Sequence, residues 1–177
     1  SSADTYSVRL IVSKGVDADT LIKEDHVIVL PHYSYMKLGD LAFDSEEFQT
    51  RGVAWCDYDL DGDQDLFICH RGAPNDLYMN NGDSTFTRLT NGAIVTDDER
   101  SMCCSWGDYD NDGYPDLFIA NEEDDDNSLY YNLGNGNFER ITSGPMVNDG
   151  GHSLFCSWDD ANNDGWLDMY VGNGSNQ

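Results

Sequence analysis

Residues 55–68 read W-C-D-Y-D-L-D-G-D-Q-D-L-F-I, and the same pattern returns as W-G-D-Y-D-N-D-G-Y-P-D-L-F-I over 106–119 and as W-D-D-A-N-N-D-G-W-L-D-M-Y-V over 158–171. The leading aspartates Asp57, Asp108 and Asp160 stand 51 and then 52 residues apart. A self-similar period of this length is one supersecondary unit of a repeating architecture, about the size of a propeller blade. Apolar and aromatic runs enclose each acidic cluster: 52–56, 102–106 and 154–158 before it, and 65–69, 116–120 and 168–171 after it. Short runs of this kind bounded by turn residues are strand signatures. The acidic cluster is then the loop that joins two strands.

Working outward, Leu77-Tyr-Met-Asn-Asn-Gly82 and Leu129-Tyr-Tyr-Asn-Leu-Gly134 predict a third strand with its turn, and Phe86 and Phe138 begin a fourth. Four short strands per repeat, Gly/Asn turns and no sustained 3.6-residue periodicity predict an all-β fold of propeller-type blades, each of four antiparallel strands. The blades start near residues 52, 102 and 153, the last being incomplete. Residues 1–51 read as a degenerate first blade or as an unrelated N-terminal β segment. Ser34–Gly39 and Phe43 match the third-strand turn and fourth strand, and Asp25–Val29 matches Asp65–Cys69. About three and a half blades fall short of the roughly four to eight that close a ring. The expectation is therefore part of a longer propeller, or one whose last blade is completed by another chain. The sequence begins at Ser1 without Met or a signal-like segment, which fits a processed product or an excised piece.

In D-x-D-x-D-G-x-x-D, carboxylates at positions 1, 3 and 5 converge, Gly at position 6 permits the sharp turn, and the last Asp closes the shell. Hard oxygen donors on a flexible loop suit calcium better than magnesium, which demands tight octahedral geometry. The first loop offers Asp57, Asp59, Asp61 and Asp65 with the carbonyl of Asp63. The second offers Asp108, Asp110, Asp112 and Asp116 with the carbonyl of Tyr114. The third offers Asp160, Asn162, Asp164 and Asp168 with the carbonyl of Trp166. Three calcium sites are expected, the weakest in the third loop, where Asn162 removes one negative charge. An EF-hand needs a bidentate Glu at position 12, and that position holds Ile68, Ile119 and Val171 inside apolar runs.

The motifs G-V-A-W-C-D-Y-D-L-D-G-D-Q-D-L-F-I and L-Y-M-N-N-G-D-S-T-F resemble the FG-GAP/VCBS-type repeats of secreted bacterial proteins and are similar to the calcium-binding blades of the integrin alpha-subunit propeller. The resemblance covers 52–177 strongly and 1–51 weakly. It implies a β-propeller whose calcium loops link the first two strands of each blade, an extracellular setting, and a role in adhesion or ligand binding. In the first unit Asp17, Asp19 and Asp25 match the motif, but Leu21 replaces its central Asp.

Composition narrows the function classes. With 34 acidic and 9 basic residues and a net charge of −25, the chain lacks the basic footprint that nucleic acids and anionic membranes require. An apolar fraction of 39% with 12% aromatics is enough for a packed core, so the acidity does not signal disorder. No apolar run is long enough to insert into a membrane. Calcium in the millimolar range outside cells would fill such loops where cytosolic calcium would not, which places the protein outside the cell or on its surface. The four histidines, His26, His32, His70 and His152, form no metal motif, and no G-x-S-x-G nucleophile motif occurs. The expectation is a non-enzymatic module that binds a protein or glycan, or copies of itself in a fibre. The alternative is the propeller part of a polysaccharide-active enzyme. Five cysteines, with no C-x-x-C, predict small buried residues, with no pairs assigned. The acidic run 122–126 and the segment 70–74 are corresponding loops of adjacent blades, open to a partner. The sequon at Asn173 is a possible glycan site in a suitable host.

Overall fold

The structure, a computed structural model, describes residues 48–123, 125–148 and 150–174. The degenerate-blade reading of the N-terminal segment falls on residues 1–47 and lies outside them.

Each repeat opens with the same hairpin. Strands β1 (Gln49–Cys56) and β2 (Asp65–Arg71), β5 (Ser101–Gly107) and β6 (Asp116–Asn121), and β9 (Ser153–Asp159) and β10 (Asp168–Asn173) pair antiparallel across an acidic loop. The register is the same in all three, with Trp55 opposite Leu66, Trp106 opposite Leu117 and Trp158 opposite Met169. The first two hairpins extend through β3 (Asp76–Asn80) and β4 (Phe86–Arg88), and through β7 (Ser128–Asn132) and β8 (Phe138–Ile141). This gives two four-stranded sheets in the orders β1-β2-β3-β4 and β5-β6-β7-β8, beside the two-stranded β9-β10. The all-β fold of four-stranded antiparallel blades expected from the sequence is borne out. One short helical turn, α1 (Ala93–Thr96), lies between the first two blades; there Ile94 and Val95 are buried.

Burial explains the strand composition. A strand covered on both faces reads as a continuous apolar run rather than as alternation. β2 and β6 carry such runs and are buried along nearly their whole length. Phe67 and Phe118 are fully buried, each removing enough apolar surface to contribute roughly 1.5–3 kcal/mol. One core lies between the first and second blades, where Phe67, Leu77, Leu117, Ile119 and Tyr130 meet. The other lies between the second and third, where Phe118, Ala120, Leu129 and Val147 receive Trp158 and Val171.

Loop aromatics tie one blade to the next. Tyr58 stacks on Trp106 at 6.2 Å between ring centroids, and Tyr109 meets Trp158 at 6.1 Å. Asn132 Nδ2 donates to the Tyr58 carbonyl at 2.8 Å, and Trp158 Nε1 donates to the Ser105 carbonyl at 3.2 Å. At this position the third loop carries Ala161.

The face of β9–β10 away from the second blade is open, with Phe155 67% and Tyr170 71% exposed, whereas Phe118, the counterpart of Tyr170 in β6, is fully buried. On β1, Val53 and Trp55 are also exposed, at 59% and 51%.

Candidate metal centres

All three loops share one backbone path. Leu60, Asn111 and Asn163 at position 4 take the left-handed conformation, each with φ of 61°. Gly62, Gly113 and Gly165 at position 6 have φ of 98°, 97° and 89°, a region open to Gly without steric cost. The position-1 carboxylate accepts from that Gly in every loop: Gly62 N donates to Asp57 Oδ2 at 3.0 Å, Gly113 N to Asp108 Oδ2 at 3.0 Å, and Gly165 N to Asp160 Oδ2 at 2.9 Å. The position-5 carboxylate caps the residue two further on. Asp63 N, Tyr114 N and Trp166 N each donate at 2.9 Å, to Asp61, Asp112 and Asp164 respectively.

The last Asp of the motif is a clip as well as a candidate ligand. Asp65 is buried at the start of β2 and accepts from Tyr58 N at 3.2 Å and from Asn80 N at 2.8 Å, joining the loop to β3. Asp116 does the same with Tyr109 N and Asn132 N, both at 2.8 Å. The asparagines complete the clamp. Asn80 Nδ2 donates to the Gln64 carbonyl and Asn132 Nδ2 to the Pro115 carbonyl, while their Oδ1 atoms accept from Gly82 N and Gly134 N. Sequence reasoning missed this role, although the signal was present in the Asn shared by the two third-strand motifs. Asp168 keeps only the loop half, accepting from Ala161 N at 3.2 Å and from Asn162 Nδ2 at 3.4 Å, and it is exposed.

Convergence differs among the loops. Oxygens of Asp57, Asp59 and Asp61 lie within 4.8 Å of one another, and so do oxygens of Asp108, Asp110 and Asp116. Asp65 and Asp112 fall outside these two triads. Asp112 Oδ2 instead accepts from the Tyr131 hydroxyl at 3.0 Å. Among the described residues, Asp160, Asp164 and Asp168 form no such cluster. The third loop keeps the backbone path without gathering its carboxylates. Position 3, which supplies Asp59 and Asp110 to the two triads, carries Asn162 in the third loop, and among the described residues no strand follows β10 to hold Asp168 as Asn80 and Asn132 hold Asp65 and Asp116.

The gathered oxygens fit a hard cation. Asp57 Oδ1 is buried and has no hydrogen-bond partner, an arrangement that costs free energy unless a cation satisfies it. The corresponding Oδ1 atoms of Asp108 and Asp160 accept from Asp112 N and Asp164 N, both at 3.0 Å. In the first loop, Asp61 N turns to Asp59 Oδ1 at 3.3 Å and leaves Asp57 Oδ1 free. Without a cation, burial pushes the Asp65 carboxyl up to about 6 despite its two backbone hydrogen bonds, and the charges of Asp59 and Asp61 add to the rise. Burial likewise raises Asp116 to about 6, with Asp110 and Asp112 contributing. Asp59 is raised too, mainly by burial.

Other chemistry-bearing groups are engaged elsewhere. His70 is buried, with Nε2 at 3.2 Å from Asp76 Oδ2 and Nδ1 at 3.4 Å from the Thr50 hydroxyl. The equivalent site in the second blade holds Asn121, whose Nδ2 donates to the Ser128 hydroxyl at 3.1 Å. The His70–Asp76 pair therefore occupies a strand-pairing position that Asn and Ser fill one blade on. The acidic run is drawn into the blade interface: Arg71 pairs with Glu122 and, at 2.6 Å, with Glu123, and Arg100 pairs with Glu123 at 3.0 Å and Asp125 at 3.5 Å. The opposite charges on segments 70–74 and 122–126 thus meet within one chain. Among the described residues no helix is long and apolar enough to cross a membrane.

Comparison with known families finds the FG-GAP-like repeat in two overlapping matches, over residues 57–119 and 108–171, each spanning two successive acidic loops. No curated protein matches the chain. Repeats of this kind are typical of extracellular proteins and often bind calcium, in keeping with the acidic groups gathered here. With the repeated hairpins, the four-stranded sheets and matches across most of the sequence, the chain belongs to the FG-GAP-like repeat family.

Proposed function

We propose that this chain is a calcium-stabilised, non-enzymatic extracellular module for adhesion or ligand binding, its partner being a protein or glycan. The observation that carries the calcium reading is Asp57 Oδ1, buried and unpartnered inside a triad of carboxylates that repel one another. A cation removes both costs at once. Asp57, Asp59 and Asp61 would hold one ion, and Asp108, Asp110 and Asp116 a second. Asp65 and Asp112 stand beside these triads as further oxygen donors, with the carbonyls of Asp63 and Tyr114. The third loop, with Asp160, Asn162, Asp164, Asp168 and the carbonyl of Trp166, would take an ion more weakly. Extracellular modules work at calcium dissociation constants of roughly 0.1–1 mM, which matches a site built for the outside of the cell.

The non-enzymatic reading is supported by His70, whose place in the blade is taken by Asn121 in the next repeat. Binding to a protein or glycan is supported by the exposed aromatic residues Trp55, Phe155, Trp166 and Tyr170, a type of surface that partners cover. The test is a thermal melt of the full chain in calcium and in chelator. A higher melting temperature in calcium supports the reading, and identical melts end it.

Self-assembly is the second reading, favoured by the open face of β9–β10 with Phe155 and Tyr170. A fibre would place that face against another copy. Sedimentation of the full chain distinguishes the two: concentration-dependent growth supports assembly, and a single species of monomer mass at all concentrations removes it.

A further inference from the structure

We propose that the three hairpins are stapled to one another by two disulfides between blades, Cys69–Cys104 and Cys103–Cys156. Consecutive residues of a strand point to opposite faces. Cys103 and Cys104 are consecutive on β5, the strand placed between its two neighbouring blades. Cys104 faces the first blade and shares a buried core with Cys69 of β2. Cys103 faces the third and packs with Cys156 of β9 in the other core. Each side of β5 therefore brings one cysteine to another.

Burial first and then the neighbouring Cys104 push the Cys69 thiol up, and the neighbouring Cys103 pushes Cys156 up. Cys103 Sγ also lies 3.9 Å from the Cys156 carbonyl oxygen. Backbones approach closely at the first pair. Gly52 stands opposite Cys69 in the sheet, and a Cβ on it would lie 3.1 Å from Cys103 Cα. Because the pairs are on opposite faces of one strand, the four thiols do not converge on a single point as a tetrahedral thiolate metal site requires. Cys56 is left over beside Asp57 at the end of β1.

Formation needs a disulfide oxidant such as oxidised glutathione. The neighbouring Cys156 lowers the partly exposed Cys103 to about 6, against the effect of burial, which makes Cys103, as its thiolate, the attacking member of the pair. Its sulfur attacks one sulfur of the oxidant, forming a mixed disulfide and releasing one reduced glutathione. Cys156 then loses its proton and attacks the Cys103 sulfur, expelling the second. Two electrons pass to the oxidant; the Cys156 proton ends on one released glutathione, and the other, released as a thiolate, takes up from solvent the proton that Cys103 had given off. Cys69 and Cys104 are buried, so their bond forms by the same exchange while the chain folds.

The proposal does not depend on calcium. Its test is refolding of the full chain in a glutathione redox buffer, followed by alkylation, thiol counting and mapping of the non-reduced digest by tandem mass spectrometry. The expected result is loss of four of the five thiols, with links Cys69–Cys104 and Cys103–Cys156. Cys56→Ser keeps both links and leaves no alkylatable thiol. Five free thiols after oxidation, a Cys103–Cys104 link or links between chains would each overturn the proposal.

Discussion

Replacing Asp57 by Asn separates a cation ligand from a mere loop acceptor. Asp57 lies within 4.8 Å of both Asp59 and Asp61, so the substitution removes two charge repulsions. At that distance each is worth about 3.5 kcal/mol at an effective dielectric of 20 and about 0.9 kcal/mol in water. Asp59 is only half-buried and Asp61 is exposed, so the aqueous limit applies and the relief totals about 2 kcal/mol. The Asn oxygen still accepts from Gly62 N. In chelator, Asp57→Asn therefore melts about 4–8 °C above the parent chain, at roughly 2–4 °C per kcal/mol for a chain of this size. In calcium that advantage disappears. An ion present at about 100 times its dissociation constant stabilises by about 2.7 kcal/mol, or about 5–11 °C, and the variant forfeits most of that, which offsets the relief. Differential scanning calorimetry of both proteins in both buffers reads the loss of the advantage. An equal loss of stability in chelator and in calcium would refute the reasoning and reduce Asp57 to a hydrogen-bond acceptor.

Further expectations concern the loop backbone, the clip and pH. Leu60 sits in the left-handed region where the other loops place Asn111 and Asn163, so Leu60→Asn should stabilise by about 1 kcal/mol and raise the melting temperature by about 2–4 °C; no gain would show that Leu60 is unstrained. Asp65→Ala orphans the buried amides of Tyr58 and Asn80 and should cost about 2–6 kcal/mol in denaturant melts, whereas Asp168→Ala at the exposed clip should cost about 1 kcal/mol or less. Equal costs would contradict the assignment of Asp65 as a clip. In chelator, Asp65 and Asp116 have folded-state values near 6 against an ordinary 3.8. The stability they contribute is fully present below the ordinary value and is lost as pH rises through 6, because the folded form holds the extra protons there. Melts from pH 5 to pH 7 should fall in chelator and lose this fall in calcium. Asp76 has the opposite sign: burial raises it, but hydrogen bonds from His70 and Arg88 outweigh that and hold it below the ordinary value, so its contribution is lost only in more acidic solution.

The hairpins were legible in the sequence because a fixed period repeats both the ends of the strands and the special conformations between them. Trp55, Trp106 and Trp158 mark one register, and Gly62, Gly113 and Gly165 mark one turn. The near-continuous apolar runs 66–68 and 117–119 marked the strands themselves, and their cover on both sides emerged only in the fold. Three features were not legible. The Arg71–Glu122 pairing joins residues 51 apart, and linear reading saw only two loops of opposite charge. The neighbouring Cys103 and Cys104 read as one small apolar pair, yet strand alternation sends them into different cores. The short helix α1 has only four residues, too few to establish a period.

The most direct measurement of the central claim is the number of calcium ions bound per chain, by calorimetric titration of the parent chain and of Asp57→Asn, Asp108→Asn and Asp160→Asn. The account predicts two ions in the tighter phase and a third only at higher calcium. Asp57→Asn and Asp108→Asn should each remove one tight ion, and Asp160→Asn should remove none. An absence of saturable calcium binding, or equal losses from all three variants, would contradict it.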